Sequence, residues 1–157
     1  MSARYGELPL RCRAVAAAII AGSGDEARLL ILRRAGALAG GAWGLVTGSI
    51  EPGETAAAAI RREIAEETGL AVRELFTTGL TETFYFAADN VVELMPIFLA
   101  YVPAPVEVML DHGSDAYRWC DRAEAVQTLT FAGQRRAIAD IWHDFIDNEP
   151  QSHRRVL

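Results

Sequence analysis

Apolar and polar residues along the chain switch between strand-like and helix-like periods, and the switches mark its elements. Residues 13–21 form a nearly unbroken apolar run of strand length, as expected for a strand covered on both faces. A turn at residues 22–25 separates it from a second apolar run, residues 27–34, so the two predict a hairpin. A small-residue loop (36–41) and a short apolar segment (43–46) lead to a glycine turn at Gly48. Helical periodicity then runs from about Thr55 to Thr68, with Gly69 where a left-handed cap belongs. Strands follow at 72–80 and 83–86, a turn at Asp89-Asn90, and a long strand at 91–102. Pro96 inside that strand predicts a bulge or an edge. A loop at 111–114 precedes a short strand, 117–120. Asp121, with Glu124 three residues on, predicts a capping box for a helix over 122–129. The last helix, about 132–147, carries Ile138, Ile141, Trp142, Phe145 and Ile146 as one core-facing stripe. Residues 1–10 and 150–157 are read as loose ends of a single domain spanning 1–157. Strands and helices mix without strict alternation, which predicts an α/β fold: a mixed sheet with helices on both faces.

Composition adds limits. A chain of 157 residues suits one domain with a real core. Its net charge of −6 gives no general attraction for nucleic acid, and there is no basic stripe, so a polymer partner is not expected. No apolar run is long enough to span a bilayer, and no signal-peptide pattern precedes the first strand. Cys12 and Cys120 each fall in an expected strand and read as two buried free thiols in a reducing compartment. Together these predict a cytoplasmic protein, monomer or homodimer, with small-molecule partners.

The chemistry concentrates in residues 48–70. Glu63, Glu66 and Glu67 stand at i, i+3 and i+4, so they share one helix face, although like charges at these spacings oppose the helix by roughly 0.2–0.5 kcal/mol per pair. At about 100° per residue, taking Ile60 as zero, Ile64 lies near 40° and Glu67 near 340°. Glu67 therefore borders the buried face, where a carboxylate must be paired or bind metal. Arg62 can pair with Glu66, but one arginine does not neutralise three carboxylates. Clustered carboxylate oxygens on a rigid helix suit a hard divalent ion, Mg²⁺ or Mn²⁺. Glu54 puts negative charge at the positive end of the helix dipole, and a sharp turn at Thr47-Gly48 could aim a backbone carbonyl at the same ion.

This stretch resembles the Nudix box, G-x5-E-x7-R-E-U-x-E-E-x-G-U with U a bulky apolar residue. Gly48, Glu54, Arg62, Glu63, Ile64, Glu66, Glu67, Gly69 and Leu70 fill its nine specified positions. The resemblance implies a Nudix hydrolase with an α/β/α sandwich, in which water attacks phosphorus while divalent ions neutralise the phosphate oxygens. It implies Glu63, Glu66 and Glu67 as metal ligands, with Glu63 also able to orient or deprotonate the water. Thr47 or Gly48 would add a carbonyl. Glu54 and Arg62 would be supporting groups, Arg62 holding a carboxylate in place.

Residues 43–51 and 115–119 are similar to a bacterial branch of the family that cleaves dATP or dihydroneopterin triphosphate to a monophosphate and pyrophosphate. That branch carries a glutamate six residues before the tryptophan matched by Trp119, and here the position is Gly113. Asp111 or Asp115 could stand in, in preference to His112, because Mg²⁺ favours oxygen. Arg33 and Arg34 are candidates to grip phosphate. Trp43, Phe84, Tyr85 and Tyr117 are candidates to stack on a ring. Nucleotide sugars, ADP-ribose and dinucleoside polyphosphates are alternative substrates, and an inactive Nudix-like binding module is the non-enzymatic rival.

Overall fold

Neighbouring residues of the central strands bury into different layers, and this draws helices to both sides of one sheet. The computed structural model describes residues 6–156. In chain order its elements are β1 (Leu10–Arg11), β2 (Ala14–Ala21), β3 (Arg28–Arg34), β4 (Trp43–Gly44), β5 (Val46–Ser49), α1 (Ala56–Thr68), β6 (Leu75–Phe86), β7 (Val91–Val102), β8 (Ser114–Cys120), α2 (Arg122–Thr128) and α3 (Ala132–Phe145). Along β2, Ala16, Ala18 and Ile20 pack with Ile138, Ile141, Trp142 and Phe145 of α3. Val15, Ala17 and Ile19 pack on the other face with Ile60 and Ile64 of α1. Both faces of β2 are covered, hence its continuous apolar run.

The sheet is mixed. β7 runs parallel to β2 over Ile97–Val102 and antiparallel to β6. The expected hairpin of β2 and β3 is real, but the two strands pair only at Ile20–Leu29 and Ala21–Arg28. They then diverge, because β5 takes the rest of the β2 edge and β4 pairs β3 at Leu32 and Arg33. That wedge holds β5 against α1.

Helix ends follow their caps. The Thr55 hydroxyl accepts the Ala58 N–H at 3.1 Å, so α1 begins one residue later than read. Gly69 closes it at φ 71°, and both bonds of the Asp121/Glu124 capping box are present.

Five expectations change. Gly48 lies not in a turn but inside β5, opposite Val15, so no sharp bend occurs at Thr47-Gly48. β6 is one strand rather than two, and its register shift falls between Thr77 and Leu80, where Gly79 adopts φ 75°. Of the two outcomes expected at Pro96, β7 is interior and not an edge, while the register shift lies one residue on, where Ile97 and Phe98 face Leu80 and Thr77; on its other flank Pro96 falls between the β1 and β2 pairings. Cys12 is exposed and lies between strands, whereas Cys120 is buried as expected. The C-terminal segment is held rather than frayed. Val156 N–H donates to Leu75 O at 2.8 Å, and Arg154 pairs with Asp144 at 2.9 Å. Among the described residues no helix is long and apolar enough to cross a membrane.

Candidate active site

The chain leaves β5 and reverses into α1 over Glu51–Glu54, where Glu54 N–H donates to Glu51 O at 3.0 Å. Pro52 and then Gly53, at φ 81°, supply the fixed φ and the left-handed residue that such a turn requires. This brings Glu54 back onto the helix. Arg62 Nε and Nη2 each donate to the Glu54 carboxylate at 2.9 Å, a two-pronged pair. Arg62 also donates to Glu63 Oε1 at 2.9 Å, to Glu66 Oε2 at 3.2 Å and to Ser49 O at 2.9 Å. One guanidinium thus ties together the β5 end, the turn and two helix carboxylates. Its hydrogen bonds to Glu54 and then Glu63 hold its pKa above the ordinary arginine value, and the Glu54 carboxyl is held below its own.

Lysine at position 62 keeps the charge but loses the fork. Arg62→Lys is therefore expected to lower kcat/KM and divalent-ion affinity by roughly 10–100-fold, as loss of groups that orient ligands does. Steady-state kinetics with a Mg²⁺ titration check this, and an unchanged titration midpoint contradicts it.

The three helix glutamates occupy different environments. Glu66 is 56% exposed at its side chain, whereas Glu63 is 13% exposed and pressed against the backbone of Gly48. Any Cβ at position 48 would fall on the Glu63 carboxyl carbon, so the glycine there makes room rather than a bend. Glu67 is half-buried, and its pKa is pushed up to about 8. Burial is the main cause, followed by repulsion from Glu63 and Asp111; Arg34 and the Thr47 N–H offset it in part. Among the described residues no salt bridge reaches Glu67.

Two adjoining cavities meet at Arg34 and Thr47. The smaller, about 370 Å³, is lined by Glu67, His112, Gly113 and Ser114. The larger, about 490 Å³, carries Gly48, Glu82, Phe84, Met95, Phe131 and Arg136. Arg34 Nη2 donates to Thr47 Oγ1 at 3.2 Å, and the guanidinium lies 5.4 Å from the Phe131 ring centre. Asp111 is close enough to act on Glu67, and its Oδ1 accepts the Gly113 N–H at 2.9 Å.

Other candidates lie elsewhere. Arg33 turns away to pair with Asp115 at 2.6 Å, and with Arg118 it flanks the Trp43 ring. Trp43 packs on the α3 side of the core and Tyr117 on the α1 side. Tyr85 is exposed, its hydroxyl donating to Asn90 Oδ1 at 2.9 Å. None of these lines either cavity.

Sequence reasoning passed over Glu82 and Gln134, both buried in the wall of the larger cavity. Gln134 Nε2 donates to Glu82 Oε2 at 3.0 Å, and its Oε1 accepts the Leu45 N–H at 2.9 Å. Burial raises the Glu82 pKa, while the Gln134 hydrogen bond, Arg34 and Arg136 pull it back. The available signal was strand parity: Leu80, Glu82 and Phe84 share a face, and Leu80 packs toward α3.

The donors fit a divalent ion by chemistry. Glu63, Glu67 and Asp111 offer oxygen alone, and the repulsion of Glu67 by the other two is one that a bound cation would relieve. Among the described residues, no three acidic, histidine or cysteine side chains converge as a cage in this conformation.

A mixed sheet between helices, with a carboxylate-bearing helix packed on β5, defines a class, and comparison with known proteins bears it out. The NUDIX domain model matches residues 10–141, and the chain belongs to the Nudix family. It is 35% identical over 139 residues to an octanoyltransferase of Myxococcus xanthus, covering 84% of this chain and 37% of that protein. Over 91 residues it is 26% identical to the asymmetrical bis(5'-nucleosyl)-tetraphosphatase of Caenorhabditis elegans, covering 57% and 66%. The chain thus spans little more than a third of the first relative and just under two thirds of the second. The dihydroneopterin triphosphate pyrophosphohydrolase of E. coli has a similar structure, with a TM-score of 0.67, 24% identity, and 84% and 95% of the two chains covered.

Proposed function

We propose that the protein is a Mg²⁺- or Mn²⁺-dependent pyrophosphohydrolase of a ring-bearing triphosphate, nucleoside or pterin, releasing a monophosphate and pyrophosphate. The observation that carries this is the pair of cavities joined at Arg34 and Thr47: a mainly apolar one sized for a ring, and a more polar one bordered by Glu67. In this reading Phe84, Met95 and Phe131 receive the ring, and Arg34 grips the phosphate chain between the cavities. Glu63, Glu66 and Glu67 hold the ion from the helix, and Asp111 takes the place of the glutamate absent at Gly113. Thr47 and Gly48 border the site through their backbone, and Arg62 and Glu54 keep Glu63 in position.

A divalent ion bound there supplies positive charge against the phosphate oxygens as charge builds on the leaving group. The chain's own residues do the rest. Arg34 aligns the chain of phosphates with the helix. A water oxygen bonds to a phosphorus beside the α–β bridge, the bridging P–O bond breaks, and the departing phosphate keeps the electron pair. The water's proton passes to a helix carboxylate. Glu67 is the favoured acceptor, because Glu63 already accepts a hydrogen bond from Arg62.

The likeness to a bis(5'-nucleosyl)-tetraphosphatase favours a second reading, in which the substrate is a dinucleoside polyphosphate. A panel of phosphorylated metabolites with Mg²⁺ or Mn²⁺, with phosphate and pyrophosphate measured separately, decides between them. Pyrophosphate release from triphosphates is expected. Turnover confined to dinucleoside polyphosphates or nucleotide sugars overturns the first reading.

A further inference from the structure

Glu82 occupies a costly position for a carboxylate. Its residue is 5% exposed, it lines an apolar cavity, and among the described residues no ion pair reaches it. A buried carboxylate is normally paired with a cation. Here its one hydrogen bond comes from a neutral amide, Gln134, itself 1% exposed. The Leu45 N–H occupies Gln134 Oε1, which leaves only the NH₂ end of that side chain to face Glu82. Gln134 therefore cannot turn to present an acceptor without breaking a backbone bond.

Two glycines make room for this pair. A Cβ at Gly133 would stand 2.7 Å from Glu82 Cγ, and a Cβ at Gly44 would stand 3.2 Å from Gln134 Oε1. Glu82 Oε2 takes the Gln134 bond. Among the described residues Oε1 takes no hydrogen bond and no buried side-chain oxygen lacks a partner, so Oε1 meets the open cavity. The result is an acceptor-only edge between Phe84, Met95 and Phe131. An ionised carboxylate carries no donor, and Oε2 keeps a second lone pair beyond its bond from Gln134, so both oxygens can accept along one edge. It matches a flat ring with two adjacent N–H donors on one edge.

We propose that Glu82, oriented by Gln134 and given room by Gly133, is the specificity-determining residue that selects a ring bearing a 2-amino-4-oxopyrimidine edge. That edge is shared by guanine and the pterins: a ring N–H beside an exocyclic amine. Adenine presents a ring acceptor beside its amine, which would face a carboxylate oxygen with no proton between them. The inference rests on the ring-bearing triphosphate reading above and refines it. A site built to accept particular N–H groups rejects a ring lacking them far more strongly than an apolar slot does.

The test compares GTP, dihydroneopterin triphosphate and ATP as substrates, and GMP and AMP as ligands, in wild type, Glu82→Gln and Gly133→Ala. Glutamine offers one acceptor and one donor, the complement of adenine. The ratio of kcat/KM for GTP or dihydroneopterin triphosphate over ATP is expected to fall by about 10²-fold or more in Glu82→Gln. Whichever of the first two is cleaved faster by wild type identifies the source of the edge. GMP-over-AMP binding should fall in parallel. Gly133→Ala displaces Glu82 without changing its chemistry and should lose the same preference, so it decides the matter if Glu82→Gln does not fold. Equal losses for all rings in the folded variants overturn the proposal. Should no triphosphate be cleaved while GMP still binds better than AMP through Glu82, the cleavage reading fails and the ring assignment stands.

Discussion

Glu67→Gln is expected to lower kcat by about 10²–10⁴-fold, the range for a group that handles a proton or charge in the transition state, with KM changed far less. Glutamine keeps the volume and removes the charge. Glu67 is half-buried and is repelled by Glu63 and Asp111. The same variant gives a pH signature. A carboxyl whose folded pKa is about 8, against an ordinary value of 4.5, binds more protons folded than unfolded between those values. Stability from this group is thus fully present below 4.5 and is lost as pH rises through about 8. Metal-free wild type should lose stability over that window relative to Glu67→Gln. Saturating Mg²⁺ should reverse the loss, because the ion competes with the proton for the same oxygens. Thermal melts across pH, with and without Mg²⁺, measure this. Parallel melting curves for the two proteins, or full turnover by the variant, would refute the role given to Glu67.

Gly48→Ala is expected to separate activity from stability. The new methyl would fall on the Glu63 carboxyl end, which is the mobile tip of a side chain, while the β5 backbone around it stays paired with β2. Overpacking of this kind costs about 1–3 kcal/mol, and the low end is expected because Glu63 can swing aside. The catalytic cost is larger. Glu63 leaves both its place and its bond from Arg62, and kcat should fall by about 10–100-fold. A folded variant with wild-type kcat would show that the Glu63 position does not matter.

The two variants act on the stretch that the sequence makes most legible. Spacing alone placed Glu63, Glu66 and Glu67 on one helix face, and local geometry decides that: 3.6 residues per turn carries i, i+3 and i+4 together wherever the helix sits. Caps were legible for the same reason, since Thr55, Gly69 and Asp121 act within a few residues of themselves. Gly48 was misread because a glycine looks the same whether its φ or its lack of a Cβ matters. Here Glu63, fifteen residues on, is what its absent side chain accommodates. Arg33 and Arg34 looked equivalent in the chain. The register shift between them sends one to Asp115 and the other to the junction of the cavities.

Residues 48–70 by themselves pointed to the family, and they carry the oxygen donors that the proposed reaction assigns to a divalent ion. The tertiary structure decided what surrounds them. Gln134 meets Glu82 across 52 residues of chain and Leu45 across 89, and no local period encodes such contacts. They form only when α3 packs against β6 and Gln134 reaches the junction of β4 and β5. That packing turns an unremarked glutamate in a strand into part of the cavity wall.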